Sequence, residues 1–295
     1  MSTPCCGCCF ECNMEFNKII LPFIIAIAQI AIGATANSLV IIAFIVKRQL
    51  RRTPSDLLLL NLAVADLFAL TIYLPWHTYW LVQRFSLKQF EILSSLNIMS
   101  VICSSFSVVA IAIDRFTGIV LPLRYKAIMT RKACSIMITT LWITGVFLGV
   151  SHWISYRLEF HDMYFRKCIC AINLTQLLLI SVLYTVIFKA GRKHVEKEEN
   201  WRRNHNAEDQ IPRKIMLKPV WKTLYIVFLS YITLLPYEIY RILSIFYSEY
   251  FLLSQRTDFF SWLNIFTFIN SCINPFIYCY GNQRLRTVLR SFFKI

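Results

Sequence analysis

The chain has 295 residues, of which 57% are hydrophobic and only 16% charged, with a mean hydropathy of +0.55. An average soluble protein is roughly 45–50% apolar and about 25% charged, so this composition excludes an ordinary soluble domain. The formal net charge of +15 would suggest nucleic acid as the partner of a soluble chain. Here the basic residues lie between apolar stretches, which favours a membrane protein and argues against nucleic acid.

Seven apolar stretches are each long enough to cross a hydrocarbon core, which takes roughly 20 helical residues. Their approximate bounds are 19–46, 57–82, 90–121, 133–154, 169–188, 220–247 and 259–280. The connecting segments are short, except for the one between spans five and six. The sequence therefore predicts an all-α, seven-transmembrane helix bundle.

The Lys and Arg residues are distributed unevenly between the two sides of these spans. Twenty-three of the 31 lie on the side of the segments after spans one, three, five and seven, and eight lie opposite. Basic loops are retained on the cytoplasmic side of a membrane. We therefore expect a multi-pass plasma-membrane protein with an extracellular N-terminus and a cytoplasmic C-terminus.

The two ends of the chain differ in composition. Five cysteines crowd the first twelve residues and lack the spacing of a zinc motif. Near the C-terminus, apolar residues recur at the spacing of one helix face: Leu285, Val288, Leu289, Phe292 and Phe293. Basic residues occupy the other face, which predicts a short amphipathic helix on the inner membrane surface, although a tail docked on protein gives the same pattern. The predicted division is a cysteine-rich extracellular segment 1–18, a seven-transmembrane domain 19–281 and an amphipathic cytoplasmic helix 282–295.

Polar residues inside spans are unfavourable in lipid and mark functional positions. Here they fall in segment 33–40 with Asn37, segment 61–67 with Asp66, Asp114-Arg115-Phe116, Trp142, and segment 270–278 with Asn274-Pro275. In this order they resemble the motifs of rhodopsin-like G-protein-coupled receptors, over nearly the whole chain. The resemblance implies a non-enzymatic receptor in membrane lipid that transduces an extracellular ligand to a heterotrimeric G protein.

Two other functions remain open on the sequence. One is a seven-helix binding or scaffold protein with weak or constitutive signalling, and the other is a transporter. A transporter should show polar or broken helices in paired halves, whereas the polar residues here match receptor positions. Leu234 and Gln176 stand where the family usually has a tryptophan in span six and a proline in span five, and these departures keep the first alternative open.

Asp66 is the only acid in the middle of its span. An isolated buried carboxylate is unfavourable unless it is paired, protonated or bound to a cation. The resemblance implies a sodium site, with sodium as a negative allosteric modulator, and the matching oxygen-bearing residues are Ser104, Asn270, Ser271 and Asn274. A water network around a protonated Asp66 is the other interpretation. No other cofactor is expected.

Asp114 can pair with Arg115 at the cytoplasmic end of span three. The resemblance implies that Arg115 leaves Asp114 on activation and contacts the G protein, while two tyrosines turn toward it. Prolines in spans six and seven remove a backbone donor and should kink those helices, which creates movable helix ends. The predicted switch residues are Asp114, Arg115, Tyr184, Pro236, Asn274, Pro275 and Tyr278.

The family usually has a cysteine at the outer end of span three, where this chain has Phe90. Cys168 and Cys170 remain in the second outer loop, and with one residue between them they are poorly placed to bridge each other. The outer side of the membrane is oxidising. We therefore expect one of the two to bond to the N-terminal cysteine cluster.

The outer halves of the helices should form the ligand pocket. The resemblance places these residues in it: Trp76, Asn97, Val101, Tyr237, Glu238, Arg241 and Asn264. Amine receptors have an aspartate where Asn97 stands, and visual pigments have a lysine where Phe268 stands, so both ligand classes are argued against. In lacking the span-three cysteine and the span-five proline, the chain resembles melanocortin, cannabinoid and lysophospholipid receptors. The acidic cluster of melanocortin receptors is absent from it.

Glu238 and Arg241 are three residues apart and share a helix face. They either pair with each other or leave Arg241 to bind a carboxylate or phosphate. The second alternative predicts a peptide or a small anionic, lipid-like ligand.

Overall fold

The computed structural model describes residues 6–47, 50, 53–83, 87–158, 162–204, 213–246 and 258–292, and these are almost wholly helical. Among them eight helices follow one another: α1 (Cys6–Val46), α2 (Pro54–Phe68, the π-helical turn Ala69–Tyr73 and Leu74–Gln83), α3 (Leu87–Val120), α4 (Arg131–Arg157), α5 (Asp162–Asn204), α6 (Arg213–Phe246), α7 (Asp258–Gly281) and α8 (Gln283–Phe292). A single helical turn, Tyr125–Ile128, lies between α3 and α4. The all-α prediction is confirmed, and each predicted span coincides with a helix.

Within the described residues, five helices include a segment long and apolar enough to cross a membrane. The five segments are Ile20–Val46, Pro54–Trp80, Glu91–Val120, Arg131–Arg157 and Tyr164–Lys197. Helices α6 and α7 cover the other two predicted spans, and some of their side chains lie outside the described set. Large apolar side chains such as Ile143, Phe147 and Val150 are exposed on α4. Their exposure fits a surface covered by lipid.

The long segment between spans five and six is largely helical in its described part. Helix α5 continues to Asn204 and α6 begins at Arg213, so most of that basic segment is helical. Lys, Arg and Glu favour helix in water, and Arg192 and Glu196 lie 3.9 Å apart at the i,i+4 spacing that stabilises it. The end of an apolar stretch marks the membrane boundary and need not end the helix. Helix α1 likewise begins at Cys6, well before the predicted span.

Local sequence fixes where α2 and α4 begin. Thr53 caps α2 by accepting from the backbone N–H of Asp56 at 3.3 Å, and Asp56 Oδ2 accepts from the Thr53 backbone at 3.0 Å. Pro54 follows at the first helical position, where its missing N–H costs nothing. Thr130 caps α4 in the same way, accepting from the N–H of Ala133 at 3.1 Å.

Helix α3 is central and packs against α2, α4 and α5. Its close approach to α4 depends on small residues: a Cβ atom at Gly149 would lie 3.1 Å from the Ser95 carbonyl oxygen, and one at Gly145 would overlap Cys103 Sγ. Small residues at such crossings are how membrane helices come into contact. Helix α6 packs between α5 and α7, and α1 packs against α2 and α7. This arrangement turns polar residues of α2, α3, α5, α6 and α7 toward one interior.

Candidate functional site

The C-terminal end of α3 carries Asp114, which is 2% exposed. Ser55 Oγ, in the first turn of α2, donates to Asp114 Oδ2 at 2.6 Å, and the Tyr125 hydroxyl donates to Oδ1 at 2.8 Å. Arg115 Nε lies 3.7 Å from the same Oδ2. The structure therefore contains the expected Asp114–Arg115 pair. Ser55 and Tyr125 carry no sequence signal for this role, because only packing brings them to α3.

Asp114 and Arg115 line a cavity of about 1050 Å³ at this end of the bundle, which we call the Arg115 cavity. Its walls come from the α1–α2 connection and from α2, α3, α7 and α8, and they include Lys47, Tyr278 and Arg284. The Arg115 side chain is 40% exposed, so its guanidinium is accessible from this cavity. The cavity is large enough to admit a segment of a partner protein to Arg115.

Tyr184 of α5 and Tyr278 of α7 are both buried in the core cluster that includes Ile111 of α3. Neither hydroxyl has a hydrogen-bond partner among the described residues. A buried hydroxyl without a hydrogen-bond partner destabilises the fold. A rearrangement that supplies a partner to either tyrosine would therefore be favoured in free energy. Pro236 and Pro275 lie inside α6 and α7, where the kinks were expected.

Asp66 is fully buried in the middle of α2 and receives three side-chain hydrogen bonds. Ser104 Oγ and Ser271 Oγ each donate to Oδ1 at 2.8 Å, and Asn274 Nδ2 donates to Oδ2 at 2.8 Å. Three of the four residues predicted around Asp66 are thus its direct partners. The fourth, Asn270, lines a cavity of about 40 Å³ together with Ser104 and Ser271.

These residues fit a hard monovalent cation in chemical type. A carboxylate and two hydroxyl oxygens converge, and the buried Asn274 Oδ1 has no hydrogen-bond partner among the described residues. Asn37 of α1 braces the site, since its Nδ2 donates to the Ser271 carbonyl oxygen at 3.0 Å. A protonated Asp66 within the same hydrogen bonds is equally compatible with this arrangement.

Toward the N-terminal end of α3, a cavity of about 120 Å³, which we call the outer cavity, opens between α2, α3, α4, α5, α6 and α7. Five of the seven predicted pocket residues line it: Asn97, Val101, Tyr237, Arg241 and Asn264. Glu238 lies one turn deeper and lines the 40 Å³ cavity instead. Asn97 Nδ2 donates to the Tyr237 hydroxyl at 3.4 Å, which joins α3 to α6 across the pocket.

Trp76 is placed differently from the expectation. It packs against the core cluster around Leu70, and the outer cavity is lined by Tyr73, His77 and Trp80 of α2. The π-helical turn Ala69–Tyr73 precedes Pro75, whose ring disfavours a regular turn before it. A π turn takes up one extra residue, so the outer half of α2 is rotated and presents His77 to the cavity.

Glu238 and Arg241 pair with each other, which was one of the two alternatives. Arg241 Nη1 donates to Glu238 Oε1 at 3.3 Å, and Asn173 Nδ2 of α5 donates to the same oxygen at 2.7 Å. The Arg241 side chain is still 17% exposed and lies 5.9 Å from the centre of the Tyr237 ring. Arg241 can therefore keep Glu238 and contact a ligand from its outer side.

His152 and Arg166 also line the outer cavity and have no counterpart in the sequence predictions. His152 Nδ1 lies 3.0 Å from Ser95 Oγ, and Arg166 Nη2 donates to Ser244 Oγ at 3.2 Å. Their polar character within or beside apolar spans was the available signal. Which way each one faces depends on the rotation of α4 and α5.

Cys168 is exposed and Cys170 is buried, and neither forms a disulfide with another described residue. The side chains of the N-terminal cysteines and of Phe90 lie outside the described residues. The predicted bond to the N-terminal cluster therefore stays a prediction.

Comparison with known proteins agrees with this arrangement. A family model described as 7 transmembrane receptor (rhodopsin family) matches residues 36–278. Melanocortin receptor 5 of Bos taurus is 25% identical over 263 residues, which cover 86% of this chain and 78% of that receptor. The 5-hydroxytryptamine receptor 1F of Cavia porcellus is 29% identical over 212 residues, which cover 67% of this chain and 57% of that receptor. Matched across most of its length, the chain belongs to the rhodopsin family of seven-transmembrane receptors, which are not enzymes.

Proposed function

We propose that this receptor binds an extracellular ligand in its outer cavity and activates a heterotrimeric G protein through Arg115. The observation that carries the proposal is Asp114, a buried carboxylate that contacts Ser55, Tyr125 and Arg115 at the edge of the Arg115 cavity. These contacts keep Arg115 paired with Asp114, and their loss would make the guanidinium available to the G protein. Such a two-state contact is the kind of element a ligand can bias.

The proposed orientation has the N-terminus outside and the C-terminus in the cytoplasm. The Arg115 cavity then lies on the same side as Lys47, Arg284 and the basic ends of α5 and α6. Leu123, in the turn after α3, is 99% exposed on this side. The proposed G-protein contact surface includes Leu123.

The proposed ligand is a peptide or a small molecule with an anionic group and an apolar body. Arg166 and Arg241 both line the outer cavity, and its remaining walls are mostly aromatic or aliphatic. A guanidinium binds carboxylate and phosphate through paired hydrogen bonds. The names of the relatives refer to melanocortin and 5-hydroxytryptamine. Neither ligand is carried over, because Asn97 offers no carboxylate to an amine and the acidic cluster of melanocortin receptors is absent.

A sodium ion at Asp66 is proposed as a negative allosteric modulator. Its support is the convergence of Asp66 with Ser104, Ser271 and Asn274 in the interior. A cation that fits only the resting bundle stabilises that state by differential binding.

The second candidate function is a binding or scaffold protein with weak or constitutive signalling. One observation favours it: Leu234 lines the 40 Å³ cavity where the family usually has a larger tryptophan. The smaller side chain weakens the mechanical link between ligand and α6. A transporter has no comparable support.

The deciding experiment is a measurement of G-protein nucleotide exchange in membranes containing the full chain. Arg115→Ala should abolish exchange, whereas Lys132→Ala, an exposed basic residue at the start of α4, should leave it unchanged. Both variants are compared at equal surface expression. Equal exchange by Arg115→Ala and the unmodified receptor would reject coupling through Arg115, and no exchange by the unmodified receptor would favour the scaffold alternative.

A further inference from the structure

The 40 Å³ cavity adjoins the outer cavity from below. Val101 and Asn173 line both cavities, so the two spaces meet at these side chains. The floor of the small cavity includes Ser104 and Ser271, and its upper wall includes Glu238. A space of this size holds a water molecule or one small functional group, but not a ring.

Three buried side chains on this cavity each have a polar atom without a hydrogen-bond partner among the described residues. The atoms are Glu238 Oε2, Asn173 Oδ1 and Gln176 Nε2, on residues that are 3%, 6% and 5% exposed. Buried polar atoms in folded proteins are nearly always paired. The three atoms together favour an occupant that forms hydrogen bonds with all of them.

The two firm acceptors come from Glu238 and Asn173. The Asn173 amide is oriented by its 2.7 Å donation to Glu238 Oε1, which leaves Oδ1 as an acceptor. Ser105 Oγ lies 3.1 Å from Gln176 Oε1 and 2.6 Å from the Val101 carbonyl oxygen, but a hydroxyl has one hydrogen. With that hydrogen on the shorter bond, the Gln176 amide turns over, so that Nε2 donates to Ser105 and the oxygen faces the cavity. Three acceptors then match the three N–H groups of a primary ammonium.

The charges around the cavity specify the rest of the ligand. Arg241 lies 3.3 Å from Glu238, and Arg166 also lines the outer cavity. A lone cation beside two guanidinium groups would be repelled, whereas an anionic group on the same ligand would balance them. Glu238 and Arg241 are three residues apart on α6, so the two poles of the ligand should be about 5 Å apart.

We propose that the small cavity is a subsite for the primary ammonium group of a zwitterionic ligand, whose anionic group is held by Arg241 in the outer cavity. The acceptors come from α5 and α6, and the span-three position of Asn97 takes no part in holding the ammonium. The inference rests on the proposed function only in using the outer cavity as an anion site.

The test uses the purified full chain in lipid nanodiscs and two matched probes: 5-aminopentanoate and pentanoate. Apparent affinities come from the rise in thermal unfolding midpoint with probe concentration at constant ionic strength. We expect 5-aminopentanoate to bind about tenfold tighter than pentanoate, because charge-assisted hydrogen bonds are added. Glu238→Gln should remove that difference, and Glu196→Gln, an exposed acid on the cytoplasmic part of α5, should preserve it.

A second variant provides an independent test in case Glu238→Gln does not fold. Gln176→Met removes one acceptor without touching the ion pair and should reduce the tenfold difference by several-fold. Equal binding of 5-aminopentanoate and pentanoate to the unmodified chain overturns the ammonium subsite but leaves the anion site in place. Failure of both carboxylate probes to bind overturns the anion site and the subsite with it. Retention of the full difference in both variants also overturns the subsite.

Discussion

The hydrogen bonds around Asp114 predict that the receptor becomes more active when they are removed. Tyr125→Phe deletes the 2.8 Å bond to Oδ1 and keeps the ring, and Ser55→Ala deletes the 2.6 Å bond to Oδ2. Burial raises the pKa of the Tyr125 hydroxyl, so it remains a donor at physiological pH. A hydrogen bond to a charged group contributes about 1.5–3 kcal/mol, and the lower value suits these partly exposed side chains. Loss of about 1.5 kcal/mol from the resting state alone shifts the resting-to-active equilibrium roughly tenfold.

The assay is basal nucleotide exchange on a G protein, measured without ligand and normalised to surface receptor. Each single variant should raise exchange, by up to roughly tenfold where the resting state dominates. Ser55 Oγ and Tyr125 OH are 3.3 Å apart and share one carboxylate, so the double variant should give less than the product of the two effects. Tyr164→Phe, at an exposed tyrosine near the opposite end of the bundle, is the matched control. Basal exchange that is unchanged or lower in both single variants would refute the idea that these bonds restrain Arg115.

Three further predictions test the orientation, the interior cation and the outer cysteines. An epitope tag before residue 1 should be stained on intact cells and one after Ile295 only after permeabilisation, because basic residues lie mainly on the C-terminal side; staining of both tags on intact cells would exclude the proposed topology. Sodium, but not a bulky monovalent cation at equal ionic strength, should weaken agonist binding by about five- to thirty-fold, and Asp66→Asn should abolish the difference; identical effects of the two cations would identify a proton and water network. Cys168→Ser or Cys170→Ser should lower surface expression through loss of a bond to the N-terminal cluster, and peptide mapping that finds both thiols free would contradict this.

The sequence by itself determined the number and approximate position of the spans, because each span is defined by the apolar residues of its own segment. It also pointed to the interior polar residues. Asp66 stands out because a carboxylate is unfavourable at that depth. The resemblance to rhodopsin-like receptors selected Ser104, Ser271 and Asn274 as its partners, and the structure brings these four residues together. Asp114 and Arg115 are adjacent in the chain, so their pairing needed no knowledge of distant segments.

Only the tertiary structure decided which polar groups meet across helices. It settled the pairing of Arg241 with Glu238, placed His77 at the outer cavity where Trp76 was expected, and brought Asn173 and Gln176 of α5 beside Glu238. The physical reason is that hydropathy depends on depth in the membrane, whereas a side chain's partner depends on the rotation of its helix. That rotation is set by packing against helices distant in sequence and, in α2, by one π-helical turn.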